Sequence, residues 1–249
     1  MDTISRRGLL GRSISGAAAV GLPLGAVAAE PPTGRKLKII VSGAHPDDPE
    51  SAAGGTIARY ADLGHDVVAL YLTRGEAGIR GKSHDEAAAI RTAESKRACE
   101  ILKARPVFAG QIDGSTEVNA ARYDDFRNRL EAERPDVVFT HWPIDTHRDH
   151  RAASLLTYDA WLRLNKPFAL YYFEVMTGTQ TQVFRPTHYV DITETEPRKR
   201  DACFAHISQD PPHFYDMHSV MNQFRGMEHG CKFAEAFVHE DQGPEGRLP

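Results

Sequence analysis

Short apolar runs recur along this chain at intervals that leave room for one helix each, and four of them end in dense polar clusters. Leu37 to Val41 reads as a first buried strand, Val67 to Leu72 as a second, Pro106 to Ala109 as a third and Val137 to Thr140 as a fourth. Phe168 to Phe173 and the region near Tyr189 to Ile192 supply two more. Helical patterns fill the gaps: Thr56 to Leu63, about Asp85 to Leu102, Tyr123 to Glu133 with Pro135 as its stop, and about Ala152 to Leu164. Two further helices are expected around Arg198 to Ser208 and near Met217 to Met227. Such alternation predicts an α/β fold, a single three-layer domain with a largely parallel, Rossmann-like sheet and helices on both faces. There is no internal repeat or low-complexity linker.

Open sheets of this kind bind ligands beyond the carboxyl ends of their strands. That is where the polar clusters fall. His45 to Glu50 follows the first strand, Arg74 to Glu76 the second, Gln111 to Asp113 the third and His141 to His150 the fourth. Four loops opening on one rim predict one site.

The first residues stand outside this pattern. Ser5-Arg6-Arg7-Gly8-Leu9-Leu10, a weakly apolar Ala- and Gly-rich stretch, and Ala26-Val27-Ala28 follow the order of a twin-arginine signal peptide over residues 1–28. The expectation is export through the Tat machinery to the periplasm or beyond, with the signal either cleaved or kept as an anchor. The alternative is a cytosolic chain with a basic tail. Removing 28 of the 249 residues leaves 221, enough for one domain with a sizeable core. The leader carries Arg6, Arg7 and Arg12 against Asp2, so its loss takes the formal charge from −4 to −6. A mildly acidic domain without Lys/Arg blocks gives no electrostatic footprint for nucleic acid, and beyond the leader no apolar run reaches membrane-spanning length. Three widely spaced cysteines, Cys99, Cys203 and Cys231, suggest neither a disulfide framework nor a thiolate metal site.

The chemistry lies in two clusters. Ala44-His45-Pro46-Asp47-Asp48-Pro49-Glu50 packs one imidazole and three carboxylates into six residues. His45 and Asp48, three apart across a strand-to-helix turn, can face the same side. Asp48 before Pro49 is also what a helix start wants, an N-cap acceptor followed by proline at the first helical position. A cap accounts for neither His45 nor Asp47, and crowded carboxylates repel unless a cation or hydrogen bonds compensate. His147 and His150 are likewise three apart, at a loop-to-helix junction. Alone they suit an exposed loop; with His45 and Asp48 on the same rim they make a set of imidazole and carboxylate donors that suits zinc. His141 and Asp145 are read as groups supporting or fringing that set. Arg91, Glu94 and Arg97 recur at helical spacing, as solvated pairs or with Arg91 turned into the site. Gly54-Gly55-Thr56 lacks the phosphate-binding glycine patterns and is read as close helix–sheet packing.

These residues resemble the LmbE-like (PIG-L) N-acetylglucosaminyl deacetylases. His45-Pro46-Asp47-Asp48-Pro49-Glu50 and Gly54-Gly55-Thr56 are similar to the family's first signature, and His147-x-x-Asp149-His150 to a later one. Leu72 to Gly78, Arg91-x-x-Glu94, His206-x-Ser208-Gln209 and Ala234-Glu235-Ala236-Phe237 also match in order, so the likeness runs through most of a domain placed at 36–240. The resemblance implies Zn2+, with Fe2+ as an alternative, bound by His45, Asp48 and His150. It implies Asp47 as general base and His147 as electrophilic partner or general acid. Asp149 is expected behind His147, orienting it, while Arg91 and Asp113 contact substrate. Arg148 stands where many members have Pro, and Asp145 where some sugar-thiol pathway members have Tyr. Those departures lie at the mouth of the site and leave the N-acetylated substrate unidentified. The competing expectations are an amidase acting on a non-sugar amide and a non-catalytic, metal-stabilised periplasmic binding protein. The oligomeric state is open.

Overall fold

The computed structural model describes residues 34–249, so the signal peptide read at 1–28 lies outside the described residues. Seven strands form one mixed sheet in the order β3-β2-β1-β4-β5-β7-β6. The chain builds it as β1 (Lys38–Gly43), α1 (Asp48–Asp62), β2 (Asp66–Thr73), α2 (His84–Leu102), β3 (Arg105–Gln111), α3 (Ala120–Glu133), β4 (Val137–His141), α4 (Arg148–Arg163) and β5 (Ala169–Phe173). All pairings among these five strands are parallel. Then follow β6 (His188–Asp191), α5 (Glu196–Phe204), α6 (Pro211–His229) and β7 (Ala234–His239). β7 was not expected as a strand. It enters last, antiparallel to both β5 and β6, and joins them.

Both faces of the sheet are covered, which explains apolar runs without alternation. Ile39 and Val41 point into a core closed by α1, α2 and α5, while Ile40 points into a second core closed by α3 and α4. Strand order reverses between β1 and β4, and at such a switch point adjacent loops diverge and leave a crevice.

Helix starts show how local chemistry sets the frame. Ser83 and Glu86 form a reciprocal capping box at α2, and Asn119 caps α3. α1 departs from both, and the helix-cap alternative for Asp48 does not hold. Asp47 occupies the N-cap position with left-handed φ 103° and makes no cap bond. Asp48 is already helical, and its carboxylate turns back to accept the backbone N–H groups of Ala44 (3.0 Å) and His45 (2.7 Å).

One turn further, α1 is interrupted at Ala53, whose φ and ψ are −139° and 18°. The break exposes the N–H groups of Gly55 and Thr56. The buried Glu235 carboxylate from β7 accepts both, at 2.9 and 2.8 Å, and also pairs with Lys199 at 2.6 Å. Gly54 and Gly55 are glycines because a Cβ would strike Lys199 (3.0 Å) and Ile192 (2.6 Å), so close packing is their role.

Candidate active site

The loop after β1 and the start of α4 meet at the switch point and bring His45, Asp48 and His150 together. His45 Nδ1 lies 3.3 Å from Asp48 Oδ2, and His150 Nε2 lies 3.4 Å from Asp48 Oδ1. All three side chains are buried. Among the described residues, overlapping groups able to hold a cation also draw in His141, His147, Asp113 and Asp149.

The donor set fits a divalent metal on chemical grounds. Asp113 and Asp149 both approach His45 Nε2 at 3.2 Å, with Asp48 on the other side of the ring. Burial opposes a charged imidazole, yet hydrogen bonds that the ring donates to the carboxylates of Asp113, Asp149 and Asp48 push His45 well above its usual range. Burial likewise opposes ionised Asp48, but His150 and His141 hold it well below the usual carboxylate range. A pocket that so favours positive charge on its imidazole is one in which a cation can replace the proton.

Around the donors stands a supporting ring, and here the structure corrects one expectation. The Asp149 carboxylate does not orient His147. It accepts from Gly114 N (2.7 Å) and Thr116 Oγ1 (2.6 Å) and faces His45, 104 positions away. Burial raises its pKa, but His45, Thr116 and Gly114 outweigh that and leave it lowered. Carboxylate–histidine pairs of this type fix the tautomer and ring orientation of a metal ligand. Asp145 lies beside His150, 3.2 Å from Nδ1 without a hydrogen bond between them, and His141 stacks on His150 with centroids 4.1 Å apart. His141 Nε2 lies 3.2 Å from Asp48, and burial and His150 lower its pKa to about 4, so the ring is neutral.

Asp47 differs from its neighbours. Its side chain remains a third exposed, facing the cleft rather than the donor set. Arg91, from α2, donates to Asp47 Oδ2 at 2.8 Å and also to the Pro46 carbonyl. Arg91 is thus turned into the site, whereas Arg97 pairs with Glu100 in solvent. Burial raises the Asp47 pKa and Arg91 works against that rise. A non-glycine residue at φ 103° is costly, and such strain persists where surrounding contacts over-determine it. His147 is half-buried at the N-cap of α4, where Nδ1 accepts the Asp149 N–H at 3.3 Å. The ring proton is therefore assigned to Nε2. Burial, His45 and His150 all lower its pKa.

The segment His206 to Gln209 walls this cleft and was matched by sequence without a role. It is tied at three points: His206 Nε2 sits 3.1 Å from Glu50 Oε1, Ser208 donates twice to Glu94 at 2.7 Å, and Gln209 donates to the Gly78 carbonyl. Glu50 lies in the first turn of α1 and Glu94 one turn beyond Arg91, so the wall braces the elements carrying Asp47 and its partner. The cleft, about 660 Å³, runs from His45 and His150 past Arg148 to Met176, Phe214 and His218.

Residues 40–161 match the family model of the GlcNAc-PI de-N-acetylases, PIG-L. Diacetylchitobiose deacetylase from Thermococcus kodakarensis is 30% identical over 195 residues, covering 72% of this chain and 73% of that one. The chain belongs to the PIG-L family. Among solved structures, a conserved protein of Thermus thermophilus superposes with a TM-score of 0.72 at 28% identity, covering 86% of this chain and 97% of that chain. GalB, the 4-carboxy-2-hydroxymuconate hydratase of Pseudomonas putida, superposes with a TM-score of 0.74 at 21% identity, covering 86% and 100%. The frame is therefore shared with a hydratase, and the reaction has to be argued from the side chains.

Proposed function

We propose that the protein is a zinc-dependent hydrolase that removes the acetyl group from an N-acetylated amino sugar and releases acetate. The observation that carries this reading is Asp47: a carboxylate on left-handed backbone, tethered by Arg91 and open to the cleft beside His45, Asp48 and His150. Those three residues would hold the metal. A divalent cation there supplies Lewis-acid polarisation of an acetamide carbonyl and lowers the pKa of a water toward about 7.

The chain's own groups do the rest. Asp47 accepts the proton of the attacking water, and the Arg91 tether fixes one of its oxygens so that the other faces the substrate. His147 presents Nε2–H to the carbonyl oxygen as negative charge develops there. Asp47 then returns its proton to the departing nitrogen, leaving a free amine and acetate. Asp149 holds the His45 ring throughout.

An amino sugar is favoured as substrate by the family and by the diacetylchitobiose relative, and a cleft of this size accommodates a sugar or short oligosaccharide. The Arg6-Arg7 leader supports the reading that the protein is exported through the Tat machinery and acts in the periplasm or outside the cell. The test is elemental analysis of the purified protein combined with acetate release from N-acetylglucosamine, diacetylchitobiose and non-sugar acetamides. Zinc with turnover of the sugars is expected. Turnover of the non-sugar amides alone makes the protein an amidase; no turnover with zinc or iron makes it a binding protein.

A further inference from the structure

Tyr215, His218, Asn222 and Arg225 turn inward from α6, and two of these side chains lack a full set of partners. Tyr215 donates to Glu196 at 2.7 Å, and Arg225 holds Glu174 at 2.6 and 2.7 Å. His218 and Asn222 lie four residues apart on the same helix face. Neither His218 Nδ1 nor Asn222 Nδ2 has a hydrogen-bond partner among the described residues, although both are buried. Buried polar groups are almost always paired, and these two complement each other.

The elements behind the pair decide which way it faces. Glu235 of β7 accepts from Lys199 at 2.6 Å, and Lys199 donates to Asn222 Oδ1 at 3.4 Å. With its oxygen committed to an ammonium, the Asn222 amide has N–H to offer the turn before it. That donor suits an unprotonated Nδ1, in direct contact or through a water, and leaves the ring proton on Nε2. Burial, with Lys199 adding to it, lowers the His218 pKa to about 4 against the pull of Asp48, so the ring is neutral and carries one proton. Nδ1 is enclosed, so the 7% of His218 that stays exposed lies toward the cleft, whose wall it shares with Phe214 and Met176. The groups at the reacting amide come from the rim loops and α2, which leaves α6 free to read the rest of the substrate. Phe214 and Met176 supply apolar surface for the C–H faces of a sugar ring, and a neutral N–H at a fixed point of that wall suits a hydroxyl oxygen.

We propose that His218 is a specificity-determining residue whose Nε2–H donates to a ring hydroxyl of the N-acetylated sugar, with Asn222 and Lys199 holding the imidazole in the tautomer that can do so. The assignment rests on the amino-sugar reading above. Sites built to hydrogen-bond a hydroxyl reject analogues that lack it, because the buried polar group is then left unpaired.

The test is acetate release from N-acetylglucosamine or diacetylchitobiose, and from the monodeoxy analogues of whichever is cleaved, by wild type, His218→Leu and His218→Gln. Leucine removes both nitrogens, whereas the glutamine amide keeps an N–H near the position of Nε2. His218→Leu should lower kcat/KM at least about 10-fold with metal content near wild type, and His218→Gln should retain most of the activity. One monodeoxy analogue should cost wild type a similar factor and cost His218→Leu nothing more, because side chain and substrate lose the same contact. A merely structural histidine would lower activity on every analogue alike. Wild-type turnover in His218→Leu, or losses that add for every analogue, overturns this assignment and leaves the amino-sugar reading standing. Absence of turnover on both sugars overturns that reading and this assignment with it.

Discussion

Gly78→Ala should disable the site without unsettling the fold. A Cβ at Gly78 would lie 2.4 Å from Arg91 Nη1 and 3.2 Å from its Cζ. Restoring ordinary contact moves the guanidinium by about 1 Å, and the 2.8 Å bond to Asp47 Oδ2 does not survive that shift. The backbone itself accepts alanine, because Gly78 is not among the glycines with positive φ. What gives way is the far end of a flexible side chain, so the melting temperature should hold or rise slightly as the unfolded chain loses freedom. A hydrogen bond between charged groups is worth about 1.5–3 kcal/mol, so if its full worth is expressed in the transition state kcat/KM falls about 10- to 150-fold.

The assay is the initial rate of acetate release from the best substrate of the panel, with metal content and melting temperature measured on the same preparation. Arg91→Lys should lose at least as much activity as Gly78→Ala. Adding Gly78→Ala to Arg91→Lys should then cost almost nothing more, because both changes act on one contact. Wild-type turnover in Gly78→Ala, or additive losses in the double variant, would refute Arg91 as the group that positions Asp47.

Three further outcomes follow from the same geometry. Asp47→Asn should abolish turnover with metal content near wild type, whereas His150→Ala should lose the metal; elemental analysis of both separates base from ligand. Glu235→Leu leaves Lys199 buried without its partner and the Gly55 and Thr56 N–H groups unsatisfied, a loss of about 3–5 kcal/mol that lowers the melting temperature by roughly 6–20 °C; Lys199→Met in that background should recover part of it. Burial, helped by Lys199, depresses the His218 pKa to about 4 from 6.5. The unfolded chain therefore binds the extra proton between those values, and stability falls as pH drops from about 6.5 toward 4. Relative to wild type, His218→Gln should gain up to about 3 kcal/mol across that window in urea melts.

Much of the frame was legible because buried parallel strands are apolar on both faces and their loops collect the chemistry at one end. Ile39 to Val41, Val137 to Phe139 and the clusters after them carry that information locally. β7 does not. Ala234 to His239 becomes a strand by inserting between β5 and β6, a pairing decided by the sheet edge left when α6 ends. Proximity in sequence also misled at Asp149, two residues from His147 yet serving His45. α6 turns Tyr215, His218, Asn222 and Arg225 inward and leaves Met217, Val220, Phe224 and Met227 exposed, which was hidden because its periodicity fits a helix with either face inward.

These departures share one physical cause. β7 and Asp149 each find their partners far away in sequence, β5 and β6 for the strand and Gly114, Thr116 and His45 for the carboxylate. Local pattern reports which residues can pair, while topology decides which of them do. Asp47 makes the point most sharply. Its neighbour Asp48 is drawn back by the Ala44 and His45 N–H groups, and that turn forces Asp47 onto left-handed backbone with its carboxylate toward the cleft. Arg91, 44 positions later on α2, then holds it there. The strain at one residue and the tether from a distant helix are two halves of one arrangement, so relieving either should release the other.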